Sequence, residues 1–277
     1  MLTFALPEKR LNRDDILQKP QAELEPFDIK TILPFIPNRT THVVAGKRNT
    51  AKGLQALVNG AYIVTDDYVS AIVKAAVAPP NVEDPDVPLP SPLEEDFDEN
   101  WPDALKFLPA AGKEPVPRPY KLYAPDPSRA NVFDGFNFLF LDQNQYENLR
   151  EHIVNGKGNA FLYEVQRGVT TAAEVAQYVQ SLAEKKGGKS FKGEGEEVAV
   201  VVVRLAGKKR MEQWDLKFMQ DIDLTLSQRS IEQNEFLDAI VMNDASGLKR
   251  KLEIEISPQS LAEIGHEHGR ECFMGTF

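Results

Sequence analysis

The 277-residue sequence predicts an α/β protein with two small units, each a small parallel sheet flanked by helices, joined by an acidic proline-rich linker. Short β-branched runs alternate with helical patterns in residues 1–78, and the alternation starts again in residues 128–245. Strands that alternate with helices favour a parallel sheet covered by helices. Residues 79–127 form the linker, and residues 246–277 form a partly polar tail that we leave unassigned, with disorder as an open alternative.

The first unit contains two clear strand patterns with a helix between them. The β-branched run from Thr41 to Val44 is typical of a buried strand, and Tyr62 to Val64 is a second such run. Asn49 or Thr50 can cap the intervening helix, and Asn59-Gly60 is a typical helix stop. The other predicted elements are a short strand, a polar helix, a connection interrupted by prolines, and a closing helix: residues 1–6, 8–24, 27–36 and the segment holding Tyr68, Val69, Ile72 and Val73.

The composition changes in the linker. Acidic side chains concentrate between Glu83 and Asp103 with no basic residue among them, and prolines are frequent. Because like charges repel and proline removes backbone donors, we expect this stretch to be extended. Two alternatives stay open: a plain spacer, or a connector that packs on a domain through its aromatic residues, Trp101, Phe107 and Tyr120.

The second unit repeats the alternation with a different sequence. Residues 198–205 are almost continuously β-branched, which is typical of a central strand buried on both faces. The remaining predictions are strands within 131–141 and 160–165, and helices over 143–154, after Thr170 or Thr171, over 209–228 and over 231–242. Residues 185–197, rich in glycine, lysine and glutamate, are expected to be a mobile loop.

Charge and composition exclude several classes of function. The formal net charge of −10 argues against strong, sequence-independent nucleic-acid binding, which needs a basic surface. The single cysteine, Cys272, cannot form an intramolecular disulfide, so a reducing compartment is expected. The longest apolar runs are strand-sized, and the N-terminus lacks the pattern of a signal peptide, so we expect no membrane association.

Motifs for catalysis, cofactors or metals are incomplete. Gly187 to Ser190 matches the end of a phosphate-binding P-loop, but Ala183 stands where that motif needs a glycine. His266, His268 and Cys272 are close in sequence, but a fourth metal ligand is not evident. We therefore predict a non-enzymatic protein with no catalytic residues, cofactor or metal, and an enzyme of unknown type is the least favoured alternative.

A cationic cluster surrounds the start of the helix after Thr41–Val44. Lys47, Arg48 and Lys52 are poorly placed there for helix stability, because the helix dipole favours cations at the other end. A bound anion such as a phosphate would meet backbone N–H groups, the Thr50 hydroxyl and these cations. The alternative is a solvated helix end with no ligand.

Three segments resemble the tandem BRCT region of the nibrin family, of the fungal type. Residues 47–57 are similar to its first BRCT domain, residues 132–141 to the opening strand of its second, and residues 231–240 to the closing helix of that domain. The resemblance covers about residues 1–245. It implies a phosphopeptide-binding adaptor in the repair and checkpoint response to DNA double-strand breaks, in the nucleus, with phosphoserine-containing DNA-damage proteins and subunits of the break-repair nuclease complex as partners.

The resemblance also implies a set of phosphate-binding residues. Lys52 matches the lysine that holds phosphoserine in BRCT domains, Thr50 matches a supporting hydroxyl, and Lys47 and Arg48 complete the candidate set. Thr3 is the nearest candidate for the first-strand hydroxyl. If Ala5 occupies that position instead, one phosphate ligand is missing.

The sequence departs from the family at both ends. Nibrins begin with an FHA domain and continue into a long C-terminal tail, whereas this chain starts at the first BRCT strand. We therefore expect a partial gene product or a homologue with a reduced role, which leaves direct tethering of the nuclease in doubt. A scaffold that binds partners without phosphate is the alternative function.

Overall fold

Two parallel sheets organise the chain in the computed structural model, which describes residues 2–4, 13–112, 114, 116–184, 199–205 and 213–252. The predicted loop 185–197 and the cluster of His266, His268 and Cys272 lie outside the described residues, as do Gly187 to Ser190. Within the described residues, no helix is both long and apolar enough to cross a membrane. The same part of the chain holds no group of three or more acidic, histidine or cysteine side chains placed to bind a metal ion.

The first unit is a four-stranded parallel sheet in the order β2-β1-β3-β4. Leu2 of the central strand β1 pairs with Thr31 of β2 and with His42 of β3. The alternation of strands and helices is therefore confirmed, although β2 lies inside the stretch predicted to be a connection. The elements are β1 (Leu2–Phe4), α1 (Arg13–Leu24), β2 (Thr31–Ile32), β3 (His42–Val44), α2 (Ala51–Val58), β4 (Tyr62–Val64) and α3 (Asp66–Ala76).

The linker contains short helices, where an extended chain was expected. The helices are α4 (Pro92–Glu95) and α5 (Phe97–Asn100), and a capping box between Ser91 and Glu94 starts the first of them. Trp101 and Phe107 pack on the core of the first unit, whereas Tyr120 remains exposed. The N–H of Thr65, just after β4, donates to the carbonyl oxygen of Phe107 at 2.8 Å.

The second unit has a three-stranded parallel sheet in the order β6-β5-β7. Ile231 adds one parallel bridge to Val203 at the edge of β7, so the helix predicted from position 231 begins four residues later. The elements are β5 (Phe136–Phe140), α6 (Gln143–Asn155), β6 (Asn159–Leu162), α7 (Ala172–Glu184), β7 (Ala199–Val203), α8 (Gln213–Leu226), β8 (Gln228–Arg229), α9 (Glu235–Met242) and β9 (Arg250–Lys251).

The two units share one hydrophobic core. Leu54 and Leu57 of α2 are buried in the same cluster as Leu149 of α6 and Ile240 of α9. Helix α2 is strongly amphipathic, yet most of its residues are buried, because it lies between its own sheet and the second unit. The position of α2 therefore fixes the first unit against the second.

Candidate functional site

The N-terminus of α2 begins with a capped turn. Thr50 has an extended backbone, and its hydroxyl oxygen accepts a hydrogen bond from the N–H of Gly53 at 3.0 Å. Of the two caps that the sequence allows, Thr50 is the one that forms. Because α2 follows β3, this helix start lies at the carboxyl edge of the first sheet.

The side chain of Lys52 extends along that edge of the sheet. Lys52 Nζ donates to the carbonyl oxygen of Leu33 at 2.6 Å, and Leu33 directly follows β2. Since β1 lies between β2 and β3, a side chain that reaches from α2 to the end of β2 passes the end of β1. This arrangement places a cation and a helix N-terminus together at the end of the central strand.

Two other predicted residues border the same place. The backbone of Thr3 lies within β1, paired with Ile32 and Val43, one residue before the end of the strand. Ala5 lies outside the described residues, so the choice between Thr3 and Ala5 stays a prediction. Lys47 is exposed in the loop between β3 and α2.

Arg48 is buried and has a partner in the linker. Its Nε lies 2.9 Å from Oε1 of Glu114, and its guanidinium carbon lies 4.6 Å from the centre of the Tyr123 ring. The side chains of Arg48 and Glu114 are 7% and 5% exposed. The structure thus brings Thr50 and Lys52 together on α2, while the charge of Arg48 is held by Glu114.

The surroundings of the Glu114 carboxyl group favour its ionised form. Burial alone would raise its pKa, but hydrogen bonds from the backbone of Gly112, from Arg48 and from its own backbone keep the pKa below the usual value. Glu114 therefore stays ionised beside Arg48. Sequence reasoning missed this partner, because the two residues are 66 positions apart and no local pattern links them.

A separate cavity of about 530 Å³ lies on the second unit, beside the N-terminal end of α9. Three of its charged lining residues are already compensated: Arg229 and Glu235 pair with each other, and Asp238 pairs with Arg118 of the linker. The lining does not include Thr50 or Lys52. We therefore take the α2 N-terminus as the candidate site.

Comparison with known proteins identifies the second unit. Residues 127–251 match the family described as the second BRCT domain on Nijmegen syndrome breakage protein. The match confirms the predicted resemblance for residues 132–141 and 231–240. It also includes the 3₁₀ turn Ser246–Leu248 and β9, which lie in the part of the sequence that we left unassigned.

Solved structures of BRCT repeats show weak similarity over most of the chain. The BRCT5–BRCT6 domains of S. pombe Brc1 are 12% identical, with a TM-score of 0.43, over 91% of this chain and 96% of that one. The FHA/BRCT-repeat domain of S. pombe Nbs1 is 15% identical, with a TM-score of 0.38, over 86% of this chain and 63% of that one. The S. pombe Nbs1–Ctp1 complex gives 14% identity and a TM-score of 0.35, over 87% and 59%.

Proposed function

We propose that the chain is a nibrin-like tandem BRCT region and acts as a non-catalytic adaptor of the DNA double-strand-break response that binds phosphoserine-containing proteins. BRCT domains are generally protein-interaction modules. We place the adaptor in the nucleus, within or related to the nibrin-containing nuclease complex. The matched region supports the family, and the geometry around α2 supports the ligand.

The position of Lys52 and Thr50 carries the proposal. The first turn of a helix offers backbone N–H groups and the positive end of the helix dipole, and both attract a phosphate. Lys52 adds a full charge at the same edge of the sheet. The Thr50 oxygen accepts from Gly53, and its hydroxyl hydrogen is available to donate to a ligand.

Peptide binding tests the proposal directly. We expect a degenerate phosphoserine peptide mixture to bind the whole chain, and the unphosphorylated mixture to bind far more weakly. Lys52→Met should weaken phosphopeptide binding by about 10- to 100-fold, since a hydrogen bond to a charged group contributes about 1.5–3 kcal/mol. Lys74→Met is the matched control, because Lys74 is an exposed lysine in the last turn of α3. Equal binding of the two peptide mixtures would exclude this function.

A phosphate-independent scaffold is the second candidate. The core shared by α2, α6 and α9 holds the two units in one arrangement, which suits a fixed binding surface. This candidate predicts that a partner binds wild-type chain and Lys52→Met equally well, with or without phosphorylation. The same titration therefore separates the two functions.

A further inference from the structure

A short part of the linker bridges the two units through two ion pairs. We call Glu114, Val116, Pro117 and Arg118 the linker strap. Glu114 contacts Arg48 of the first unit at 2.9 Å, and Arg118 contacts Asp238 of the second unit at 2.6 Å. The strap is therefore fixed at one end beside α2 and at the other end on α9.

The linker approaches the candidate site along the edge of the first sheet. Phe107 is hydrogen-bonded to Thr65 at the carboxyl end of β4, and Glu114 then reaches Arg48 in the loop after β3. The next strand in the sheet is β1, whose end Lys52 spans. Phe107 and Glu114 therefore lie beside the ends of two neighbouring strands, β4 and β3, and β3 is next to the strand whose end the Lys52 side chain passes.

Arg48 is joined tightly to the first turn of α2. Its carbonyl oxygen accepts the N–H of Thr50 at 3.1 Å, and a Cβ atom at Gly53 would lie 2.4 Å from the same oxygen. The backbone of Arg48 is therefore packed directly against the first turn of α2. The buried Glu114 carboxylate contacts the Arg48 guanidinium as a bound anionic group would.

We propose that Glu114 is an intramolecular competitor of the phosphorylated ligand: in the closed strap it holds Arg48, and the bound ligand displaces it and takes over that cation. This inference rests on the proposed function, since it concerns the regulation of the same site. The apparent affinity of a site that is closed most of the time falls by the fraction of molecules in which it is open. The strap therefore lowers the apparent affinity of the site for anions in general, and only a ligand able to replace the Glu114 carboxylate at Arg48 binds tightly.

Titration of the whole chain with O-phosphoserine, followed by NMR, tests the inference. We compare wild type with Glu114→Gln, which keeps the size of the side chain and removes its charge. We expect Glu114→Gln to bind about tenfold more tightly, because the open fraction rises. Glu95→Gln is the control for net charge: it removes the same charge from an exposed linker residue outside the strap. The titrations are carried out at about 0.3 M salt, because electrostatic interactions between exposed charges then extend only over a few ångströms.

The outcomes separate this inference from the function on which it depends. Tighter binding by Glu114→Gln alone, with loss of binding in Lys52→Met, supports the competition. Equal affinity of wild type and Glu114→Gln overturns the competition and leaves the phosphate function standing. Absence of Lys52-dependent binding in both proteins overturns the function and the competition together.

A second measurement avoids dependence on the variant's stability. Amide hydrogen exchange of the wild-type strap is compared with and without saturating O-phosphoserine. Displacement predicts that the amide of Glu114, which hydrogen-bonds to its own carboxylate, exchanges several-fold faster in the bound protein. Unchanged or slower exchange at this amide overturns the competition, even if Glu114→Gln does not fold.

Discussion

Arg118 and Asp238 lie 120 positions apart and form a two-contact ion pair, 2.6 Å from Nε to Oδ1 and 3.0 Å from Nη2 to Oδ2. The pair joins the linker strap to α9. Its side chains are 28% and 31% exposed, so water weakens their attraction. The pair therefore contributes more to the position of the strap than to the stability of the fold.

Replacing Arg118 should loosen the strap without unfolding the protein. In Arg118→Met we expect faster hydrogen exchange at the amide of Glu114, with the melting temperature close to that of wild type. Arg150→Met is a matched control, because Arg150 forms an exposed ion pair with Glu151 on α6, away from the strap. A large fall in melting temperature for Arg118→Met would contradict this prediction.

Replacing Arg48, unlike replacing Arg118, should lower the stability of the fold. Arg48→Met leaves the carboxylate of Glu114 buried without its cation, and breaking a buried pair in this way costs about 3–5 kcal/mol. We expect a fall of that size in the free energy of unfolding, measured with urea. The double variant Arg48→Met, Glu114→Leu should recover more than half of the loss, and a failure to recover would mean that the cost comes from lost packing on Tyr123.

Gly53 should be intolerant of alanine although it lies in a helix. Alanine is normally favoured over glycine in a helix interior by about 1 kcal/mol. At this position, however, the added Cβ would lie 2.4 Å from the backbone oxygen of Arg48. We expect Gly53→Ala to be destabilised and to bind phosphopeptide more weakly, because the β3–α2 loop has to move. Gly46→Ala, seven residues earlier in an open position, should match wild type in both thermal melting and binding.

His152 should make stability depend on pH. It is 1% exposed on α6, and neither ring nitrogen has a hydrogen-bond partner within the part of the chain that the structure describes. Burial lowers its pKa from 6.5 to about 3. Between these values the unfolded chain binds a proton that the native protein does not, so stability falls as pH decreases, by about 2 kcal/mol between pH 7 and about pH 5.

The variant His152→Leu isolates this contribution. His42 is also affected, since burial and nearby positive charge lower its pKa to about 4, and the carboxylates titrate in both proteins. The unfolding free energy of the variant minus that of wild type should therefore fall by about 2 kcal/mol as pH rises from 5 to 7. Parallel curves of unfolding free energy against pH would show that His152 takes up its proton at the same pH in the folded and unfolded chains.

Much of the fold follows from local patterns in the sequence. The β-branched run at residues 41–44, the Asn59-Gly60 stop and the Thr50 cap all lie where they were predicted, because each depends on a few neighbouring residues. The continuous apolar run near residue 200 also forms a strand, β7, but the prediction that it is the central strand was wrong, because β5 lies between β6 and β7. These signals were sufficient to predict two parallel sheets.

The remaining features depend on contacts that are distant in sequence. Strand β2 has only two residues, between the 3₁₀ turn Glu25–Phe27 and Pro34, so it shows no periodicity of its own and exists through its pairing with β1. Lys52 was identified from its place at a helix start, but its bond to the carbonyl of Leu33 requires the strand order. Arg48 was grouped with Lys52 because it is cationic, and only the fold reveals that Glu114 already pairs with it.

Helix α2 has a consequence for how the protein unfolds. One side of it completes the interior of the first unit and the other side completes that of the second, and both belong to one buried cluster. Separating the halves at the linker would expose apolar surface on each, so the cooperative folding unit is the pair. The change of composition at residues 79–127 therefore does not separate two independently folding domains. A substitution that destabilises one unit should also destabilise the other.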